Sequence, residues 1–306
     1  MGYMKSRKVV SSSTKISGEA PEPMDRLSAL LEKFRVRASL FHTGRLCGTQ
    51  QFEAYPGRAF LHVLRRGSVE LRHASGSGLA VRQRISEPTL FLYPAAVKHA
   101  IVNAPREGAD FTCATLHFDG GSENPFVAAL PALVCVPLSQ VPGLGPSLEL
   151  LFAETDHARC GSRVLADRLF EVILIQLLRF IIDQPHTVGV TTGMLAGLAD
   201  RRLARALVAI HRAPARNWSL PDLAQCAGMS RSAFAATFRA ITGVTPAAYL
   251  SSFRLTVAMA GLRAGEPVKS LADRLGYAGA ASLSRAFRRE SGVSPREWLA
   301  SCQPAA

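Results

Sequence analysis

The last third of the chain contains one helical unit twice, and this duplication limits the possible folds more than any other feature of the sequence. The first unit begins at Ser219–Ser230 and the second at Lys269–Tyr277, and both segments have a cap, a short helix with a Leu-Ala step, and a glycine turn. A second predicted helix follows each segment, over 231–242 and over 282–291. A helix, a glycine-containing turn and a helix, repeated about 50 residues apart, predict a tandem helix-turn-helix.

Apolar residues mark the inward face of each second helix. Phe234 and Phe238 are four residues apart in the first unit, and Leu283 and Phe287 have the same spacing in the second. Each pair therefore lies on one helical face and is predicted to pack inward. A single helix predicted over Ala247–Leu262 connects the two units and fixes the distance between them.

Positive charge is concentrated in the same part of the chain. Residues 198–306 have a net charge of +9, whereas residues 24–197 have a net charge of only +2. Most of the excess is arginine, which favours a polyanion-binding module attached to a second, nearly neutral domain. A solvated basic surface without a partner is the alternative that charge alone leaves open.

The outward faces of the two second helices are the predicted DNA-reading surface. An arginine on such a face can donate two hydrogen bonds to guanine in the major groove, or contact phosphate. The predicted DNA-binding residues are Arg231, Ser232, Ala235, Ala236, Arg239, Ala280, Ala281, Ser282, Arg285 and Arg288.

The motifs from Leu223 to Pro295 resemble those of the AraC/XylS family of bacterial transcription regulators. The matching pattern includes Leu-Ala-x-x-Ala-Gly-Met-Ser, then Gly-x-x-Pro-x-x-Tyr, then Gly-Tyr before the last apolar pair. The resemblance implies that both second helices enter successive major-groove segments of promoter DNA, and that RNA polymerase is a partner. Ala235 and Ala236 stand where the family often has longer polar side chains, so we expect weaker base reading by the first unit.

The N-terminal half has a strand pattern. Short apolar segments separated by Gly, Pro and Ser run from Ala38 to about Phe118, and they predict an antiparallel sandwich or barrel. The pattern Pro94-x-x-x-x-His99-x-x-x-Asn103 resembles the second motif of cupin barrels. Over residues 24–185 the chain also resembles the cupin-type sensor domains that are often joined to AraC-type readers. The segment 48–61 has no histidine and a single carboxylate, Glu53, so the metal-ligand set of a catalytic cupin is incomplete.

Four residues of this half are candidates for sensing, namely Cys47, His62, His99 and Cys113. One hypothesis is a metal or an unknown small molecule bound at His62 and His99, and another is an oxidant switch between Cys47 and Cys113. The third is that all four are ordinary buried or hydrogen-bonded residues.

Helical periodicity replaces the strand pattern after residue 142. Helices are predicted over 144–153 and 163–182, and the second has apolar residues about one turn apart, among them Leu169 and Leu177. This apolar face predicts a self-association helix and hence a homodimer, since two linked readers bind DNA more tightly than one.

The predicted fold class is α+β, with an N-terminal antiparallel cupin-like barrel and helical segment before an all-α tandem helix-turn-helix domain. The predicted parts are a disordered tail (1–23), a sensor domain (24–142), dimerisation helices (143–185), a linker (186–197) and a DNA-binding domain (198–303). We expect a non-enzymatic, cytoplasmic, one-component transcription regulator without a membrane span or required cofactor, and an activator that binds promoter DNA. The alternative is a cupin-type metal enzyme with an accessory nucleic-acid-binding domain.

Overall fold

The computed structural model describes residues 24–103 and 108–302. The predicted tail over 1–23 lies outside the described residues. The first part of the described chain forms two antiparallel sheets, with strands in the orders β1-β8-β3-β6-β9 and β2-β7-β4-β5. The strands are β1 Val36–Leu46, β2 Thr49–Phe52, β3 Arg58–Arg66, β4 Val69–His73, β5 Arg82–Ile85, β6 Thr89–Tyr93, β7 His99–Val102, β8 Ala109–Phe118 and β9 Val134–Pro137.

The two sheets enclose an apolar interior. Phe60, Leu64, Leu71, Phe91 and Phe111 are buried between them, and each comes from a strand whose side chains alternate between the two faces. Strand β3 lies in the centre of its sheet and is buried over most of its length, which explains its nearly continuous apolar sequence.

Two helices cover the outside of the five-stranded sheet. These are α3 (Leu144–Asp156) and α4 (Ser162–Asp183), which pack on each other and on β1. Because β1 is an edge strand, some of its backbone N–H groups lack a strand partner. The carboxylate of Asp167 accepts a hydrogen bond of 2.6 Å from the backbone N–H of Leu40, so α4 covers this edge with charge as well as apolar surface.

The self-association hypothesis requires the apolar face of α4 to be exposed on the surface, but this face is buried inside the chain. Leu169 and Leu177 are buried, at 7% and 0% exposure, in the core that the helix forms with its own chain. The proposed interface through these two residues is therefore wrong. Periodicity showed that one face of α4 is covered, and the covering surface is the chain's own sheet and helices.

The rest of the chain is helical and continues the same core. Two short helices precede α3, and eight helices follow α4 in the described residues. The bounds of these helices are α1 Ser28–Leu31, α2 Pro125–Ala129, α5 Met194–Ala199, α6 Arg201–Arg212, α7 Leu220–Ala227, α8 Arg231–Thr242, α9 Pro246–Arg263, α10 Val268–Arg274, α11 Ala280–Ser291 and α12 Pro295–Ser301. Helix α5 starts inside the predicted linker, and residues 194–198 are buried.

The N-terminal part is docked on the helical part. Helix α1 packs on α6, and the rings of Phe34 and Phe253 meet edge to face with centroids 6.1 Å apart. Arg26 donates to the backbone carbonyl of Leu198 and pairs with Asp183. One cluster of buried apolar residues, separate from the interior between the two sheets, extends across both parts, so the junction is a packed interface. In the described residues, no helix is long and apolar enough to cross a membrane.

Candidate nucleic-acid interface and sensor site

The first reading unit consists of α7 and α8. Ser219 and Asp222 form a reciprocal capping box at the start of α7, which satisfies backbone N–H groups at that helix end. Ser230 caps α8 with a single hydrogen bond, since its hydroxyl oxygen accepts from the backbone N–H of Ala233. Phe234 and Phe238 are fully buried with ring centroids 5.5 Å apart, as their spacing predicts.

The opposite face of α8 is open to solvent. Arg231, Ser232, Ala236 and Arg239 are exposed, and Ala235 is half-buried. Two arginines near the two ends of the helix flank a short, small-residue surface. This surface can approach a groove closely while the arginines contact bases or phosphates.

The second unit, α10 and α11, repeats this arrangement. Leu283 and Phe287 are buried, and Phe287 packs edge to face on Trp298 of α12 at 5.8 Å. On the other side of α11, Arg285 and Arg288 are exposed. Ala281 of this helix is also exposed, whereas Ala280 and Ser282 are half-buried, so every predicted DNA-binding residue lies on or beside an accessible surface.

Helix α9 holds the two units at a fixed separation. Arg254 on α9 donates to the carbonyl of Pro214 (2.7 Å) and to that of Arg216 (3.0 Å), which ties the α6–α7 loop to the spacer. Gly276 in the second unit has φ +74°, and a Cβ there would lie 2.1 Å from the carbonyl oxygen of Ala215. Only glycine therefore permits this close approach of the α6–α7 loop to the second unit.

Among the predicted sensor residues, the structure brings His62 and His99 together. They come from β3 and β7, on different sheets, and their Nε2 atoms are 3.1 Å apart. The Nδ1 atom of His99 is 2.8 Å from the carbonyl of Val97, so this nitrogen carries the proton and donates. The Nε2 atom of His99 is then the acceptor, and the Nε2–H of His62 is the donor.

Aromatic rings enclose this histidine pair. Tyr93 and Phe52 both stack on the imidazole of His99, with ring centroids 3.8 Å and 4.9 Å away. Phe60 stacks on His62 at 5.7 Å. Burial lowers the pKa of His99 to about 4. Burial, followed by the nearby His99 and His42, holds the pKa of His62 well below its ordinary value. Both rings are therefore neutral at pH 7.

The pair does not fit a metal centre. Zinc sites take three or four protein ligands. Within residues 24–103 and 108–302, no group of three or more His, Cys, Asp and Glu side chains is arranged to hold an ion. The neighbouring imidazole of His73 is already engaged, through Nδ1 with the carbonyl of Ala80 and through Nε2 with the hydroxyl of Tyr93.

The structure also contradicts a disulfide between Cys47 and Cys113. Cys113 pairs across the sheet with His62 and with His42, whereas Cys47 follows Leu46, the partner of Ala109. At ~3.3 Å per residue, the two cysteines are on the order of 16 Å apart along the strands, well beyond the ~7 Å that a disulfide allows. Cys113 is fully buried, which raises its pKa, while Cys47 is exposed.

Comparison with protein-family models matches residues 25–183 to a cupin family. This match covers more than half of the chain. The chain belongs to this cupin family. Residues 223–301 match a helix-turn-helix domain, which covers both reading units from α7 to α12. The predicted α+β class, with an antiparallel cupin domain before an AraC-type tandem helix-turn-helix, is confirmed.

Curated relatives of the chain are named as transcription regulators. A putative AraC-like transcription regulator of Streptomyces lividans is 38% identical over 50% of this chain and 50% of its own length. The RCS-specific HTH-type transcriptional activator RclR of Escherichia coli is 28% identical over 78% of this chain and 82% of its own. Thus the match spans about half the length of the Streptomyces relative. Among solved structures, ToxT of Vibrio cholerae is 13% identical over 90% of this chain and 100% of its own, with a TM-score of 0.37.

Proposed function

We propose that the protein is a sequence-specific DNA-binding regulator of transcription. One observation carries this proposal: two second helices, each buried on its phenylalanine face, expose arginines on the opposite face and are joined by a single helix, and Arg239 and Arg288 occupy equivalent positions in the two units. We assign DNA binding to residues 198–303, where the net charge is +9 over 198–306. Each exposed arginine face is suited to the major groove, and α9 sets the spacing of the two contacts.

The cupin domain is proposed to regulate this binding rather than to catalyse a reaction. Its interior between the sheets is filled by aromatic rings that pack around a neutral histidine pair, and the two imidazoles are hydrogen-bonded to each other. Its docking on α6 and α9 gives a physical route from the domain to both reading units. RNA polymerase is the proposed partner in activation.

A homodimer is proposed through the exposed side of α3 and α4, and not through the buried face of α4. Four apolar side chains of α3 and α4 face solvent, namely Leu150 (44% exposed), Val164 (63%), Leu165 (39%) and Val172 (41%). Apolar residues grouped on one helical pair are typical of an association surface. A second copy of the chain would link two readers and raise operator affinity.

Selection of duplexes from a random pool by the full chain tests the DNA-binding proposal. Affinity for the selected duplex and for a scrambled duplex of the same composition is then measured at several salt concentrations. We expect the selected duplex to bind at least about 10³-fold more tightly at physiological salt. Equal affinities with the same salt dependence would overturn sequence-specific recognition, since phosphate contacts alone give that result.

A further inference from the structure

A cleft lies between the cupin domain and the spacer helix, and nothing so far assigns it a role. Its volume is about 470 Å³, which lies within the range of small-molecule sites. Three segments line it: the loop around α2, the segment 189–194, and one face of α9. All three segments belong to the junction between the domains, so a molecule bound here touches both.

The lining is apolar with a few hydroxyl groups. Leu130, Val190, Met194 and Phe253 supply buried apolar surface. The hydroxyl-bearing side chains of the lining are Thr191, Thr192, Tyr249, Ser252 and Thr256. Such a surface suits a molecule that is mostly apolar and has one or two hydrogen-bonding groups.

The charge of the lining excludes an anionic ligand. Glu123 is the one charged residue among those that line the cleft in the described part of the chain. Its carboxylate pairs with Arg263 at 2.8 Å, and Arg263 also donates to the carbonyl of Gly120. The cation is thus already engaged, and an added carboxylate or phosphate would lie beside Glu123 without a counter-charge.

The walls of the cleft are connected to both reading units. The backbone N–H of Gly193 donates to the carbonyl of Ile241 near the end of α8 (3.0 Å). Helix α9 packs on α10 and α11 of the second unit. On α9, the hydroxyl of Tyr249 also lies 2.7 Å from Nε2 of His211 in α6, whose ring is fully buried and packs on Phe253 at 4.6 Å. A ligand that shifts α9 against segment 189–194 therefore changes the relative position of α8 and α11.

We propose that this interdomain cleft binds a small, uncharged, mainly apolar effector, with the cupin domain forming one wall. The inference rests on the proposed regulatory function and names where its effector binds. The histidine-filled interior of the cupin domain then has a structural role, and the effector acts at the junction with α9.

Titration of the full chain with 1-naphthol and, separately, with 1-naphthoate tests the site. The two probes have the same ring system and differ in charge at neutral pH. Saturation-transfer NMR and calorimetry on the wild-type chain should show 1-naphthol binding at roughly millimolar affinity or better, and 1-naphthoate at least about tenfold weaker. No detectable naphthol binding, or preference for the anion, would overturn the proposal.

Two variants locate the bound probe. Ala128→Trp fills the cleft from the α2 side, and Thr192→Trp fills it from the other wall, so each should weaken naphthol binding at least about tenfold. Ala132→Trp is the matched control, because Ala132 is exposed on the same loop and does not line the cleft. Undiminished binding in both folded cleft variants would contradict the assignment.

Binding of the selected duplex is measured in the same preparations. Intact duplex binding without a naphthol site would reject the cleft alone. If the wild-type chain bound the selected duplex no more tightly than the scrambled one, the proposed regulatory function itself would be rejected.

Discussion

The Nε2 atoms of His62 and His99 lie 3.1 Å apart inside the cupin domain, and one proton is shared between them. The contact joins the two sheets, because His62 is on β3 and His99 is on β7. Protonation of both rings would place two cations at hydrogen-bond distance in an apolar enclosure. The pair is therefore stable only in its neutral form.

Acid should destabilise the cupin domain through this pair. The pKa of His99 is lowered to about 4 in the folded chain from an ordinary value of 6.5, so its contribution is complete above pH ~6.5 and is lost as pH falls toward ~4. For His99 this shift corresponds to a loss on the order of 3 kcal/mol across that range. His62, whose pKa is also lowered by burial, adds a loss in the same direction. Urea unfolding followed at pH 7.5, 6, 5 and 4 measures it, and a double variant His62→Phe/His99→Phe should show a shallower pH dependence.

His211 is a third buried imidazole whose pKa is lowered, in this case to about 3, because of burial and then the charge of Lys33. His211→Phe is therefore a control that removes the same kind of titration from the domain junction. If the pH dependence is unchanged in His62→Phe/His99→Phe and absent in His211→Phe, the acid sensitivity belongs to the junction and the first prediction is wrong.

Replacing Arg285 with Ala should weaken binding to the selected duplex by about 1–3 kcal/mol and relax base preference at one position. The side chain is exposed on the outward face of α11. Fluorescence anisotropy with the selected duplex and single-base variants checks this. Arg163→Ala, an exposed arginine of α4, is the matched control. Equal losses on selected and scrambled duplexes would show a phosphate contact instead.

Replacing Phe238 or Phe287 with Ala should destabilise its reading unit by about 3–5 kcal/mol, since both rings are fully buried. Val244→Ala removes an exposed side chain nearby and should cost far less. Chemical denaturation monitored by circular dichroism gives the comparison. A fully stable Phe238→Ala or Phe287→Ala variant would mean that the inward face is misassigned.

Charge introduced on α4 should have two different effects, depending on the face. Leu165→Glu and Val172→Glu alter exposed positions and should give folded monomers with weaker operator binding. Leu169→Glu buries a carboxylate in the core and should unfold the domain. Sedimentation velocity and thermal melting separate these outcomes. Dimers that persist in the Leu165→Glu/Val172→Glu double variant would exclude this surface.

The helical half of the molecule could be predicted closely because its signals are local. Caps such as Ser219 and Ser230, turn glycines, and phenylalanines four residues apart each specify a helix or its end within a few residues. The connecting helix, expected over Ala247–Leu262, is observed over Pro246–Arg263.

The sheet half was less predictable because its contacts depend on strand order and register. Strand β9, Val134–Pro137, has no counterpart among the predicted strands, since four residues ending in proline give little periodicity. The approach of His62 to His99 requires two sheets to face each other, while the separation of Cys47 from Cys113 follows from the β1–β8 register. Neither distance can be predicted from the spacing of residues along the sequence. Likewise, the periodicity of α4 could not distinguish its own sheet from a second copy.

Hydroxyl-radical footprinting of the full chain on its selected duplex tests the central claim, that α9 holds two readers on one face of DNA. The account predicts, for each bound copy of the chain, two protected segments centred about 10 base pairs apart on the same face. Inserting about five base pairs between them should reduce affinity at least about tenfold, because the second segment is rotated to the opposite face. A single protected segment, or affinity unchanged by the insertion, would contradict the account.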